Sequence, residues 1–106
     1  MENIFKDIPS ELPDEFIEKI AGDEKTGISI ERIISHGHAS PPGFWYDQDK
    51  NEFVILLKGK AALLFKESDK LIEMSQGDYI DIPAHTLHRV EWTSKDEDTL
   101  WLTVHY

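Results

Sequence analysis

The chain has 106 residues, of which 40% are hydrophobic, and its 11 lysines and arginines are outnumbered by 21 acidic residues. This length suits one small domain with a single core. The net charge of −10 argues against nucleic acid as a partner, because phosphates would be repelled. The longest apolar runs, at 53–57 and 61–65, are far shorter than the ~20 residues of a membrane-spanning helix. The sequence has no cysteine and starts without a basic or apolar leader, so we expect a cytoplasmic protein with no membrane partner.

The N-terminal segment differs from the rest of the chain. Residues 1–26 contain eight acidic residues and three lysines. Pro13 suits the first turn of a helix, and Phe16, Ile17 and Ile20 would share one helical face. The sequence therefore predicts an N-terminal arm, residues 1–27, with one short helix at 13–21 that packs on the main body.

From Ile28 onward, short β-branched and aromatic runs alternate with turn residues, a pattern typical of an all-β sandwich or barrel. The loop at 37–51 is unusually long, which indicates a functional loop or a concealed strand at 44–48. The predicted domain spans residues 28–106. Its predicted strands are 28–35, 52–57, 61–65, 70–74, 78–83, 88–93 and 99–106.

Four histidines form two close pairs near the ends of predicted strands: His36 with His38, and His85 with His88. Strand alternation directs His36 towards the side of the core isoleucines and His88 inward. Imidazoles combined with carboxylate oxygens are a common ligand set for iron, manganese, nickel or zinc. The alternative is that these are ordinary histidines, hydrogen bonded to the backbone at loop ends.

Glu52 opens the most apolar strand of the chain. A carboxylate in that position lies either at a solvent-exposed rim or in a partly desolvated place where a cation would compensate its charge. Asp47 and Gln48 offer further oxygens shortly before it. Tyr46, in the long loop, is either a core aromatic residue or part of a pocket wall.

Two segments resemble the motifs of the cupin superfamily. Residues 77–88 resemble G-x5-P-x-G-x2-H, with Gly77, Pro83 and His88 in register and His85 at the internal glycine. Glu52, followed by Gly59, resembles the second half of H-x-H-x3-E-x6-G. The resemblance implies an antiparallel jelly-roll β-barrel of the cupin type.

The first half of that motif allows two alignments. Without gaps, the family's two histidines fall on Tyr46 and Gln48, which leaves Gln48, Glu52 and His88 as a reduced metal shell. If residues 39–51 are instead an insertion, His36 and His38 join Glu52 and His88 as the usual four ligands.

The resemblance implies a small enzyme that uses a divalent Mn, Fe, Ni or Zn ion as a Lewis acid on a small polar metabolite, such as a sugar or keto acid. The reaction would be of the isomerase, lyase or dioxygenase type, and His85 or Tyr46 would move a proton. The alternative is a cupin that binds or senses a small molecule without turnover. The resemblance also implies a homodimer formed through exposed edge strands, to which residues 1–5 would contribute.

Overall fold

The polypeptide forms eight β-strands and no helix. The structure is a computed structural model that describes all 106 residues. Every strand pairing is antiparallel, in a five-stranded sheet of order β1-β2-β8-β3-β6 and a three-stranded sheet of order β5-β4-β7. No helix with the length and apolarity to cross a membrane is present. The strands are β1 (Phe16–Asp23), β2 (Ile28–Ser35), β3 (Glu52–Lys58), β4 (Ala61–Phe65), β5 (Lys70–Met74), β6 (Tyr79–Ile82), β7 (His88–Thr93) and β8 (Thr99–His105).

The hydrophobic core contains side chains from both sheets. In β3, Glu52, Val54 and Leu56 are buried while the residues between them are more exposed, as expected when successive side chains point to opposite faces. Glu52 therefore lies on the face of β3 that carries the core. The buried cluster consists of Val54, Leu56, Ala61, Leu63, Met74, Ile82 and Trp101.

The sequence-based prediction of an all-β antiparallel fold is confirmed. The predicted strands correspond to β2 through β8, with differences of at most one residue at each end. The turn between β3 and β4 depends on Gly59, whose φ is +90°. A Cβ there would lie 2.5 Å from Thr99 Oγ1, so only glycine fits this turn without a shift in β8.

The predicted N-terminal helix at 13–21 is wrong, because Phe16–Asp23 forms β1. This strand pairs with β2 from Phe16 opposite Ile34 to Asp23 opposite Ile28, with a bulge between Lys19 and Ala21. A nine-residue helix is marginal in water. Pairing instead satisfies the backbone groups of β1 along the otherwise open edge of β2.

The predicted barrel is not closed. The two sheets remain separate, because no strand is hydrogen bonded to both. Of the two alternatives for the long loop, the concealed strand at 44–48 is reduced to a single antiparallel bridge between Tyr46 and His88. Further backbone hydrogen bonds attach the long loop to β7 and to the residues on either side of β7. Ser40 N donates to Val90 O in β7 at 2.9 Å. Gly37 N donates to Ser94 O after β7, and His85 N before β7 donates to Gln48 O, both at 2.7 Å.

Candidate functional site

A small cavity of about 50 Å³ lies between the two sheets. Most of its wall is apolar and comes from β2, β3, β4, β6, β7 and β8. A cavity needs roughly 10–15 Å³ to hold one water molecule, so this one accepts only a few water-sized groups. Its polar lining consists of Glu15, Tyr46, Glu52, His88 and Thr103.

His88 and Glu52 form a buried pair in this cavity. His88 Nε2 lies 3.2 Å from Glu52 Oε1, and the two residues are 4% and 9% exposed. His88 Nδ1 lies 2.8 Å from the Thr86 carbonyl oxygen, which can only accept a hydrogen bond. Nδ1 therefore carries a proton. Protonation of Nε2 as well gives an imidazolium that donates to both partners.

The surroundings of His88 favour that charged form. Burial alone would lower the pKa of the imidazole, but the hydrogen bond to Glu52, the bond to the Thr86 carbonyl and the negative charge of Glu52 together outweigh burial. The pKa of His88 is consequently raised above its ordinary value. In the charged form, the Nε2 proton of His88 lies in the hydrogen bond to Glu52 Oε1.

Two aromatic rings hold the imidazole in place. The Tyr46 and Phe65 rings stack against it with centroids 5.4 and 6.0 Å away. The pKa of the Tyr46 phenol is raised by burial and by the negative charges of Glu15, Glu52 and Glu31. Tyr46 is thus a protonated hydrogen-bond donor at neutral pH.

Glu15 reaches the cavity from the segment that precedes β1. Its Oε2 accepts a hydrogen bond of 2.6 Å from Ser35 Oγ, which in turn accepts one of 3.3 Å from Trp101 Nε1. Glu15 Oε1 makes no hydrogen bond. This chain of donors holds the carboxylate at a fixed position beside the cavity.

Thr103 contributes an unsatisfied polar atom. The residue is 2% exposed, and its Oγ1 has no hydrogen-bond partner. A buried hydroxyl without a partner costs about 1–3 kcal/mol. Neither Thr103 nor Glu15 was among the residues predicted from the sequence. The alternation of Thr99, Trp101 and Thr103 along β8 could have indicated that Thr103 points inward, whereas nothing in the local sequence indicated that Glu15 reaches the cavity.

The other sequence-predicted site residues lie outside the cavity. His36 Nδ1 is 2.9 Å from Asp98 Oδ1, and His38 Nε2 donates to the Leu12 carbonyl oxygen at 3.1 Å. His85, at a φ of +61°, pairs with Asp47 at 2.9 Å with its side chain mostly exposed. Gln48 contributes its backbone carbonyl to His85 N, and its side chain does not line the cavity.

The residues present do not fit the metal shell that the resemblance implies. No three His, Cys, Asp or Glu side chains converge closely enough to hold a metal ion. Of the predicted ligands only His88 and Glu52 meet, and they bond to each other. Structural metal sites usually have four ligands, and catalytic sites have three from the protein. The donor set of the cavity is thus one imidazole hydrogen bonded to one carboxylate.

A second, more open groove of about 610 Å³ lies between the N-terminal segment and β1. Arg32 lies in this groove, but its guanidinium donates to the carbonyl oxygens of Ile4 and Lys6 at 3.2 and 2.6 Å. It also pairs with Glu18 at 2.9 Å. Because these bonds use its two terminal nitrogens, Arg32 anchors the N-terminal segment, while its buried Nε has no partner.

Comparison with solved structures places this fold among known proteins. A Ralstonia eutropha JMP134 protein, named a "putative mannose-6-phosphate isomerase", is 43% identical, with a TM-score of 0.92 over 99% of this chain and 95% of that one. A cupin superfamily protein of Desulfitobacterium hafniense DCB-2 is 17% identical, with a TM-score of 0.74 over 92% and 82% of the two chains. The polyketide cyclase RemF of Streptomyces resistomycificus is 18% identical, with a TM-score of 0.71 over 88% and 65%. The last two show the fold alone.

A search of curated proteins finds no match. The family model described as "Cupin domain" matches residues 31–105, which include β3 through β8 and most of β2. This match covers well over half of the chain and includes Glu52 and His88. The chain belongs to the cupin family.

Proposed function

We propose that this cupin is a metal-independent acid–base enzyme that interconverts isomers of a small hydroxycarbonyl compound of the aldose and ketose type. The single observation that carries the proposal is the buried His88–Glu52 pair, which faces a cavity beside the protonated phenol of Tyr46. The 43% identity to the protein named a "putative mannose-6-phosphate isomerase" supports the isomerase type of reaction.

This reaction needs only proton movements. A base removes the proton from the carbon next to the carbonyl, exchanges it with solvent and returns a proton to the former carbonyl carbon, while a second proton moves between the two oxygens. Glu52 serves as the base, since its Oε2 makes no hydrogen bond. Tyr46 donates to the substrate oxygens, and the His88 imidazolium holds Glu52 in place.

The cavity volume is consistent with this chemistry. At about 50 Å³, the space accepts roughly four heavy atoms. The reacting end of a hydroxycarbonyl compound has that size, with two carbons and two oxygens. The rest of a longer substrate would extend through the mouth. Proton transfer is assigned to Glu52 and Tyr46 rather than His85, because the His85 side chain lies exposed on Asp47.

The test is proton exchange in D2O, followed by NMR at the carbon next to the carbonyl of dihydroxyacetone, mannose and fructose. The Glu52→Gln and Tyr46→Phe variants should each lose about 100-fold or more in exchange rate. Glu73→Gln and Tyr106→Phe are matched controls, because both side chains are exposed and outside the cavity. Exchange that survives Glu52→Gln would refute the mechanism.

Binding without exchange would favour the second candidate, a cupin that binds or senses a small molecule without turnover. The lining supports this candidate, because small-molecule sites combine a mostly apolar wall with a few polar groups. Saturation-transfer NMR with the same three sugars, measured beside the exchange experiment, distinguishes the two functions.

We also propose that the protein is a cytoplasmic homodimer. The cysteine-free sequence supports the location. The unpaired outer edge of β1 supports the dimer, since Ile17 and Ile20 are exposed there and Phe5 is exposed in the preceding segment. Light scattering at micromolar concentration tests the assembly, and a monomeric mass would refute it.

A further inference from the structure

Negative charge surrounds the cavity. Glu15 and Glu52 line it, and Glu31 is close enough to raise the pKa of Tyr46 together with them. No lysine or arginine lines the cavity, and His88 is the only cationic group in its wall. Because His88 is hydrogen bonded to Glu52 and not to Glu15, no cationic group of the lining pairs with Glu15. Glu31 is paired with His105 at 3.0 Å.

The neighbouring cations are directed elsewhere. Arg89 donates to the carbonyl oxygens of Ser40 and Pro41 and pairs with Glu91. Arg32 is committed to the N-terminal segment and Glu18. Phosphate sites in proteins use arginine, lysine or the N-terminus of a helix, and this cavity has none of the three.

The free polar atoms in the cavity are mainly acceptors. Glu15 is hydrogen bonded through Oε2 and Glu52 through Oε1, which leaves the second oxygen of each carboxylate available, and the buried Thr103 Oγ1 lacks any partner. Hydroxyl groups of a ligand would supply the donors that these atoms lack. The hydrogen bonds from Trp101 to Ser35 and from Ser35 to Glu15 hold the Glu15 carboxylate in place before a ligand binds. The carboxylate therefore needs no rearrangement on binding.

We infer that the site selects uncharged polyhydroxy carbonyl compounds and rejects their phosphorylated or carboxylated counterparts, with Glu15 as the residue that sets this preference. This selectivity rests on the proposed function for the reaction, but it concerns which ligands bind in the cavity. Glu15 is partly exposed while Glu52 is buried, so Glu15 meets the part of a ligand that extends through the mouth. A phosphate or carboxylate there would face an uncompensated like charge.

The experiment compares matched pairs of probes by saturation-transfer NMR and calorimetry at low ionic strength. The pairs are mannose with mannose 6-phosphate, and dihydroxyacetone with its phosphate. The wild type should bind each uncharged sugar at least tenfold more tightly than its phosphate. Added salt should narrow the difference, since ions screen charges near the surface.

The Glu15→Gln variant should reduce that preference about tenfold, because it removes the charge but keeps an acceptor for Ser35 Oγ. Glu11→Gln is the matched control, since it removes the same charge from an exposed side chain of the same segment outside the cavity. The inference would be overturned if the phosphates bind more tightly than the uncharged sugars. It would also be overturned if none of the four probes binds. Binding of the uncharged sugars without proton exchange would leave it standing and overturn the isomerase proposal instead.

Discussion

Tyr46 is tied to His88 through both backbone and side chain. The Tyr46 N–H donates to the His88 carbonyl oxygen at 2.7 Å, the return bond measures 3.3 Å, and the two rings stack at 27°. One residue of the long loop thus joins β7 and orients the central imidazole. The loop needs no strand of its own to build the site.

Tyr46→Ala should lower the free energy of unfolding by about 2 kcal/mol, less than for a fully buried aromatic residue, because Tyr46 is partly exposed. Tyr46→Phe keeps the stacked ring and should lie within about 0.5 kcal/mol of the wild type. Urea denaturation measures both. Equal losses in the two variants would show that the hydroxyl, rather than the ring, supports His88.

The His88–Glu52 pair predicts a specific dependence of stability on pH. The folded-state pKa of His88 is raised, so the charged imidazole stabilises the folded protein. This contribution to the free energy of unfolding is fully present below the unfolded-state pKa of about 6.5. It is lost as the pH rises through the folded-state pKa. At pH 6, His88→Gln should cost about 3 kcal/mol, because it leaves Glu52 buried without its partner. The difference between wild type and variant should shrink towards pH 9. A difference that grows with pH would contradict the assigned charge state, which NMR titration of the imidazole checks directly.

Thr103→Val should raise the free energy of unfolding by about 1 kcal/mol, because it replaces an unsatisfied hydroxyl with a methyl group of similar shape. The same variant should bind mannose more weakly, since a possible donor–acceptor group has been removed. Thr103→Ser, the control, keeps the hydroxyl and loses a methyl group. A Val variant that is less stable than the wild type would show that Oγ1 has a partner in solution.

Gly59→Ala should be much more destabilising than Gly77→Ala. Both glycines have φ near +90°, but only at Gly59 would a Cβ meet β8, at 2.8 Å from Thr99 Cα, whereas Gly77 has open space. Backbone strain alone costs about 1 kcal/mol at either position. We expect at least a further 2 kcal/mol at Gly59, measured by thermal and urea unfolding. Similar losses at the two sites would refute the steric argument.

We expect the purified protein to bind little metal, because few of its His, Asp and Glu side chains lie close together. Protein purified without a His tag and incubated with micromolar Mn, Fe, Ni or Zn should retain far less than one ion per chain after gel filtration, because only His88 and Glu52 converge. Inductively coupled plasma mass spectrometry gives the measurement. A full equivalent that disappears in the His88→Ala variant would contradict the metal-independent mechanism.

Local pattern alone was enough to predict most of the strands. For Glu52 the sequence left a solvent-exposed rim and a partly desolvated position open, and the structure buries the residue. Strand alternation predicted that His88 points inward, and it is buried. These features depend on the period of a strand and on turn residues a few positions away. They could be inferred without knowledge of distant contacts.

The N-terminal segment was ambiguous for a physical reason. Phe16, Ile17 and Ile20 suit one face of a short helix, but the choice depended on whether β2 left an edge to pair with. That edge exists only in the assembled sheet. The tertiary contacts therefore overrode a weak local preference.

The composition of the site was likewise decided by the fold. Glu15 and Thr103 enter the cavity from opposite ends of the chain, while His36 and His38 turn to Asp98 and the Leu12 carbonyl. The sequence by itself determined β2 through β8 and the inward position of His88, because these follow from the alternation of side chains along one strand and from nearby turn residues. Only the tertiary structure decided which distant groups share the cavity and what charge they place there, since Coulomb forces and hydrogen bonds depend on distance in space.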